Sequence, residues 1–60
     1  MMTPRQKQVY DLVLKGLGNS EIGELLGITE SAVKSMTSTI LRKHGVPTKL
    51  KLLAKVLEGK

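Results

Sequence analysis

An all-α domain of four helices follows from three features of this 60-residue chain. Apolar residues recur at helical spacing, and no segment reads as a strand. Capping residues and glycines punctuate the chain where helices would start and stop. The third feature is the stretch from Asn19 to Ser38. Its fifth and ninth residues are Gly23 and Gly27, and its fourth, eighth, tenth, fifteenth and eighteenth are Ile22, Leu26, Ile28, Val33 and Met36. That is the spacing of a helix-turn-helix. Where two short helices cross steeply, the first needs a small residue at the crossing point, which Gly23 supplies. Gly27 suits the turn because glycine enters left-handed backbone conformations without a Cβ penalty. The five apolar residues would face inward and hold the pair at a fixed angle.

The first helix is predicted over 4–16. Thr3 is its N-cap, Pro4 occupies the first helical position where a missing N–H costs nothing, and Gln6 completes a capping box. Val9, Leu12, Val13 and Leu17 follow at helical spacing, with Lys7, Gln8, Asp11 and Lys15 on the other side. Gly16 and Gly18 end it. Asn19 reads as the N-cap of a short helix over 20–26, with Glu21 favourably placed in the first turn. Thr29 caps a third helix over 30–44, which runs without Pro or Gly until Gly45 stops it. Thr48 opens a fourth over 49–58. No repeat, low-complexity tract or linker interrupts the chain, so residues 1–60 read as one domain.

Composition narrows the function. Without cysteine there is no disulfide, zinc ribbon or thiol nucleophile. One histidine and five carboxylates leave too little for a metal centre, a cofactor site or acid–base catalysis, so no catalytic residue is predicted and an enzyme is the weakest reading. Tyr10 is the only aromatic residue, which removes the stacking platforms of single-strand binders. Ten Lys and Arg against five Asp and Glu give a net charge of +5, with Lys34, Arg42, Lys43, Lys49, Lys51, Lys55 and Lys60 all late in the chain. Such a balance suits a polyanionic partner, or simply keeps a small domain in solution. No apolar run is long enough for a membrane span, and no signal-peptide core opens the chain. A cytoplasmic, nucleoid-associated protein with no membrane partner is the expectation.

The third helix separates into two faces. At about 100° per residue, Val33, Met36, Thr37, Ile40, Leu41 and His44 share one broad side that packs on the first two helices. Opposite lie Ser31, Lys34, Ser35, Ser38, Thr39 and Arg42, rich in donors and without a carboxylate. A merely solvated face would mix charges, so this one points to double-stranded DNA. Lys34, Ser35 and Ser38, in the N-terminal half, are the candidates to reach base edges in the major groove. Arg42, two turns on from Ser35, is placed for phosphate. The helix starts at Asn19, Ser20, Thr29 and Ser31 offer further N–H groups to phosphate, although for Asn19 and Thr29 plain N-capping accounts for the residue equally well.

Several linked segments together resemble the LuxR-type (GerE-type) DNA-binding domain of bacterial transcription regulators. They are Thr3-Pro4-Arg5, Gly16-Leu17, Asn19, Glu21-Ile22, Leu26-Gly27-Ile28-Thr29-Glu30, Val33-Lys34, Ile40-Leu41-Arg42-Lys43 and Gly45-Val46. The resemblance implies a four-helix domain that regulates transcription by binding operator DNA as a homodimer. It implies the third helix in the major groove, the fourth in the subunit contact, and Lys34, Ser35 and Ser38 at base-reading positions. RNA polymerase is a further candidate partner of such a regulator. Four residues depart from the family pattern. Gln6 stands for a usual Glu and loses a charge. Gly23 replaces Ala, which should cost the short helix up to about 1 kcal/mol of propensity. His44 takes an apolar position and reads as a half-buried packing residue. Thr37 replaces an aliphatic residue and thins the core.

The fourth helix has apolar residues on two sides. Leu50, Leu53, Ala54 and Leu57 would close the monomer core, leaving Leu52 and Val56 for a two-fold interface small enough to form only on DNA. Scattered exposed aliphatics are the competing explanation. Two other functions share parts of this pattern. Region four of sigma factors has a similar start and recognition helix but lacks the Gly45-Val46-Pro47-Thr48 turn and the fourth helix. A small interaction module whose basic, aliphatic surface binds an acidic protein is the other.

Overall fold

The computed structural model describes residues 2–59; Met1 and Lys60 lie outside the described residues. Four helices follow one another, α1 (Pro4–Leu14), α2 (Asn19–Leu26), α3 (Glu30–Lys43) and α4 (Lys49–Glu58). Each start has a local cause. Gln6 N–H donates to Thr3 Oγ1 at 3.1 Å and Thr3 N–H donates to Gln6 Oε1 at 3.2 Å, which closes the capping box of α1. Thr29 Oγ1 accepts from Ala32 N–H at the head of α3, and Thr48 Oγ1 from Lys51 N–H at the head of α4, both at 3.1 Å.

Three boundaries differ from the sequence reading. The first helix ends at Leu14 rather than at residue 16, because Gly16 turns left-handed at φ 90°. There Leu17 N–H reaches back to Leu12 O at 3.2 Å and Gly16 N–H to Val13 O at 3.0 Å, which satisfies the last carbonyls. At α2 the N-cap is Gly18, and Asn19 is already the first helical residue. Glu21 Oε1 accepts from Gly18 N–H at 2.9 Å, so Glu21 caps from inside the helix and Asn19 is released from that task. α3 stops one residue early, with His44 as its C-cap.

Val9 and Val13 of α1, Ile22 of α2, Val33 and Ile40 of α3 and Leu52 of α4 form the buried core, flanked by Leu12, Leu17, Leu26, Ile28 and Met36 among others. All five inward positions expected of the helix-turn-helix therefore meet the core. Gly23 is buried at the α2–turn–α3 crossing, where an added Cβ would stand 2.9 Å from Ile28 O. The backbones approach more closely than alanine allows, so this glycine is a packing requirement and not just a weak helix former. Gly27, at φ 69°, makes the turn.

Thr37 is buried among these residues with no partner for its hydroxyl, a polar defect in the core of α3. His44 is a packing residue. Its ring stacks on Tyr10 at 5.1 Å between centroids, with the planes 9° apart, and its Nδ1 lies 2.9 Å from Ile40 O, a contact in which the ring nitrogen donates. Lys55 Nζ donates to the carbonyl of His44 at 2.6 Å, tying α4 to the end of α3.

The orientation of α4 reverses the expectation. Leu52 is fully buried and Val56 half-buried, whereas Leu50 and Leu57 are 76% and 68% exposed and Ala54 is exposed too. Two lysine anchors sit with this rotation. Lys49 Nζ donates to Asn19 Oδ1 at 3.2 Å, and Lys55 grips the end of α3. Leu52 thus belongs to the monomer core and cannot meet a second subunit.

Candidate nucleic-acid interface

α3 presents the polar face that its sequence predicts. Val33, Thr37 and Ile40 are buried beneath it, while Ser31, Lys34, Ser35, Ser38 and Arg42 are exposed. The three candidate base-reading residues, Lys34, Ser35 and Ser38, therefore lie together on the outer side of the N-terminal and middle turns. Arg42 follows on the same side near the C-terminal end, and its guanidinium makes no hydrogen bond or ion pair among the described residues. Thr39 is half-buried, and its hydroxyl donates to Ser35 O at 3.1 Å. That bond leaves Thr39 less to offer a ligand than its neighbours.

The face is not free of acid. Glu30 Oε2 lies 3.8 Å from Lys34 Nζ, an exposed i,i+4 pair. The pairing is visible in the sequence, with Glu one turn ahead of Lys. An ion pair this open to water is worth at most about 1 kcal/mol, so Lys34 is released at small cost when a stronger acceptor arrives.

At the helix starts the candidates divide. Ser20 and Ser31 are exposed next to unpaired helix N–H groups. Thr29 Oγ1 is engaged as the cap of α3. Asn19 is half-buried, with its oxygen committed to Lys49, which leaves its amide N–H₂ as donor. Both helix starts also carry a carboxylate in the first turn, Glu21 and Glu30. These partly offset the positive end of each dipole.

The late cations do two kinds of work. Lys43 Nζ donates to Gln6 Oε1 at 3.0 Å, Lys49 to Asn19 and Lys55 to His44 O. Each bond ties one helix to another while leaving the positive charge in place. Gln6 thus keeps as a neutral acceptor the contact that a glutamate would make as an ion pair. Arg5 Nη1 lies 3.5 Å from Leu26 O, at the C-terminal end of α2. These tertiary roles were not visible in the sequence, because each partner is a backbone carbonyl or amide oxygen and no charge pattern marks it.

Two helices joined by a left-handed glycine turn, a donor-rich outer face on the second and two supporting helices define a helix-turn-helix DNA-binding domain. Residues 1–56 match the family model described as bacterial regulatory proteins, luxR family, and the chain belongs to that family. α4, the element that separates this pattern from region four of sigma factors, is present. Membership places the chain among DNA-binding transcription regulators. The chain is similar to the transcriptional regulatory protein MctR of Rhizobium johnstonii, with 32% identity over 57 residues, covering 95% of this chain and 27% of MctR. It is also similar to the two-component response regulator PprB of Pseudomonas aeruginosa, with 51% identity over 41 residues, covering 68% of this chain and 15% of PprB. The chain thus spans little more than a quarter of the longer-matched relative. No solved structure matches it. No helix among the described residues is long and apolar enough to cross a membrane.

Proposed function

We propose that this domain regulates transcription by reading a specific double-stranded DNA site with the N-terminal half of α3 in the major groove. Lys34 donates to guanine O6 and N7, and Ser35 and Ser38 adapt to neighbouring base edges. Arg42, with the α2 and α3 starts at Asn19, Ser20, Thr29 and Ser31, takes phosphates and fixes the register. The observation that carries this reading is the contiguous exposure of Ser31, Lys34, Ser35, Ser38 and Arg42 on a helix whose other side is locked into the core.

The domain acts as a homodimer through the outer stripe of α4, Leu50, Ala54 and Leu57, with half-buried Leu53 at its edge. This stripe takes the place of the buried Leu52. One face of a ten-residue helix about 15 Å long offers far less area than the roughly 800 Å² per partner that a stable interface buries. Two copies therefore assemble on the operator, where DNA contacts supply the rest. RNA polymerase is the further partner of the DNA-bound regulator.

Selection from randomised duplexes at fixed moderate salt, followed by titration of the winner against scrambled DNA, tests the proposal. It predicts a palindrome with half-sites about one helical turn apart and a preference of at least about a hundredfold. Enrichment of no site, with binding that falls equally for all sequences as salt rises, would reduce the basic face to an electrostatic anchor.

A further inference from the structure

A groove lies on the side of α2 that faces away from the core. Leu17, from the turn after α1, and Leu25 form its apolar floor, and Glu21 and Glu24 stand along it, in an open depression of about 460 Å³. Leu25 is 64% exposed, the only large apolar residue outside α4 exposed to that degree among the described residues. Two of the five acidic residues are paired elsewhere, Asp11 with Lys7 and Glu30 with Lys34. The carboxylates of Glu24 and Glu58 make no hydrogen bond or ion pair within the described residues. Glu21 accepts from Gly18 N–H through one oxygen only.

We infer that this groove docks a basic, leucine-bearing helical segment of a second protein. Charge complementarity selects the occupant. In a chain of net charge +5, this is a patch of opposite sign, with two carboxylates and no cation in its lining. Its two carboxylates disfavour a polyanion as the occupant. A small molecule would find no buried polar group to orient it, since both polar lining residues are exposed. A helix carrying leucines one turn apart, with lysine or arginine beside them, covers Leu17 and Leu25 and meets Glu21 and Glu24 together. The sign is opposite to that of the acidic protein partner that overall charge alone would suggest. The inference does not depend on which residues of α3 read bases.

The test follows the amide spectrum of the isotope-labelled chain at fixed ionic strength. The chain is titrated with a synthetic helical peptide bearing two leucines one turn apart flanked by lysines, and with the same peptide carrying glutamates for the lysines. Saturable shifts centred on Leu17, Glu21, Glu24 and Leu25 are expected with the lysine peptide alone. Glu24→Lys should weaken that binding by about tenfold or more. Leu25→Ser should abolish it while leaving affinity for DNA unchanged, and the spectrum of each variant reports directly that it is folded. Equal binding of the glutamate peptide, shifts centred on α4, or no saturation would overturn the inference. So would concentration-dependent shifts at the groove without peptide, which would make a second copy of this chain the occupant.

Discussion

The α2–α3 unit and α4 are fixed by different kinds of contact. At the α2–α3 crossing the constraint is backbone against backbone, with Gly23 set so close to Ile28 O that a single added carbon would collide. α4 is held by side chains, with Leu52 in the core and Lys49 and Lys55 bonded to α2 and to the end of α3. The first arrangement packs the helix that carries Lys34, Ser35 and Ser38 tightly against its neighbour. The second holds α4 by one buried leucine and leaves a leucine stripe facing outward. On the proposed reading, the first arrangement suits a helix that reads bases and the second a helix that pairs with a second copy at the site.

Substitutions can break this contrast, and the largest effect belongs to α4. Leu52→Ala should cost about 2–5 kcal/mol in urea denaturation, while Leu50→Ala should change monomer stability by less than about 0.5 kcal/mol. A domain of this size has only about 3–9 kcal/mol in total, so the Leu52 variant should be largely unfolded on warming. Equal losses for the two leucines would mean that α4 is rotated from the orientation described.

Gly23→Ala probes the other side of the contrast. Helix propensity alone predicts a gain of about 1 kcal/mol, but overpacking against Ile28 O should cost about 1–3 kcal/mol, for a net loss near 1 kcal/mol. A higher midpoint in the same denaturation would show that the crossing relaxes easily. Thr37→Val should raise stability by about 1 kcal/mol by removing an unpartnered buried hydroxyl from α3. Gln6→Glu has the smallest effect, a gain of about 0.5 kcal/mol from pairing with Lys43 and from the α1 dipole, and one that salt diminishes.

The sequence shows most clearly what is local. The caps at Thr3, Thr29 and Thr48 and the turn at Gly27 depend on neighbours within a few residues, and they read directly. The inward positions of the helix-turn-helix read as well, because only one arrangement of Ile22, Leu26, Ile28, Val33 and Met36 faces one way. α4 defeated the same reasoning, since its two apolar faces are equivalent in periodicity and only contacts from Asn19 and His44, 30 and 11 residues away, mark its orientation. The Tyr10–His44 stack and the Lys43–Gln6 bond are long-range in the same sense. On the reading face, spacing alone placed the cations and hydroxyls. The Glu30–Lys34 pair was there to be read and shows that the face carries one acid beside the lysine proposed to read bases.

Base reading by α3 is tested most directly by comparing Lys34→Ala with Arg42→Ala on the selected site and on scrambled DNA across several salt concentrations. Lys34→Ala should cost about 1–3 kcal/mol on the selected site and relax preference at one base pair, whereas Arg42→Ala should weaken all sequences alike and lower the salt slope by about one. Equal losses on selected and scrambled DNA for both variants would contradict base reading by α3.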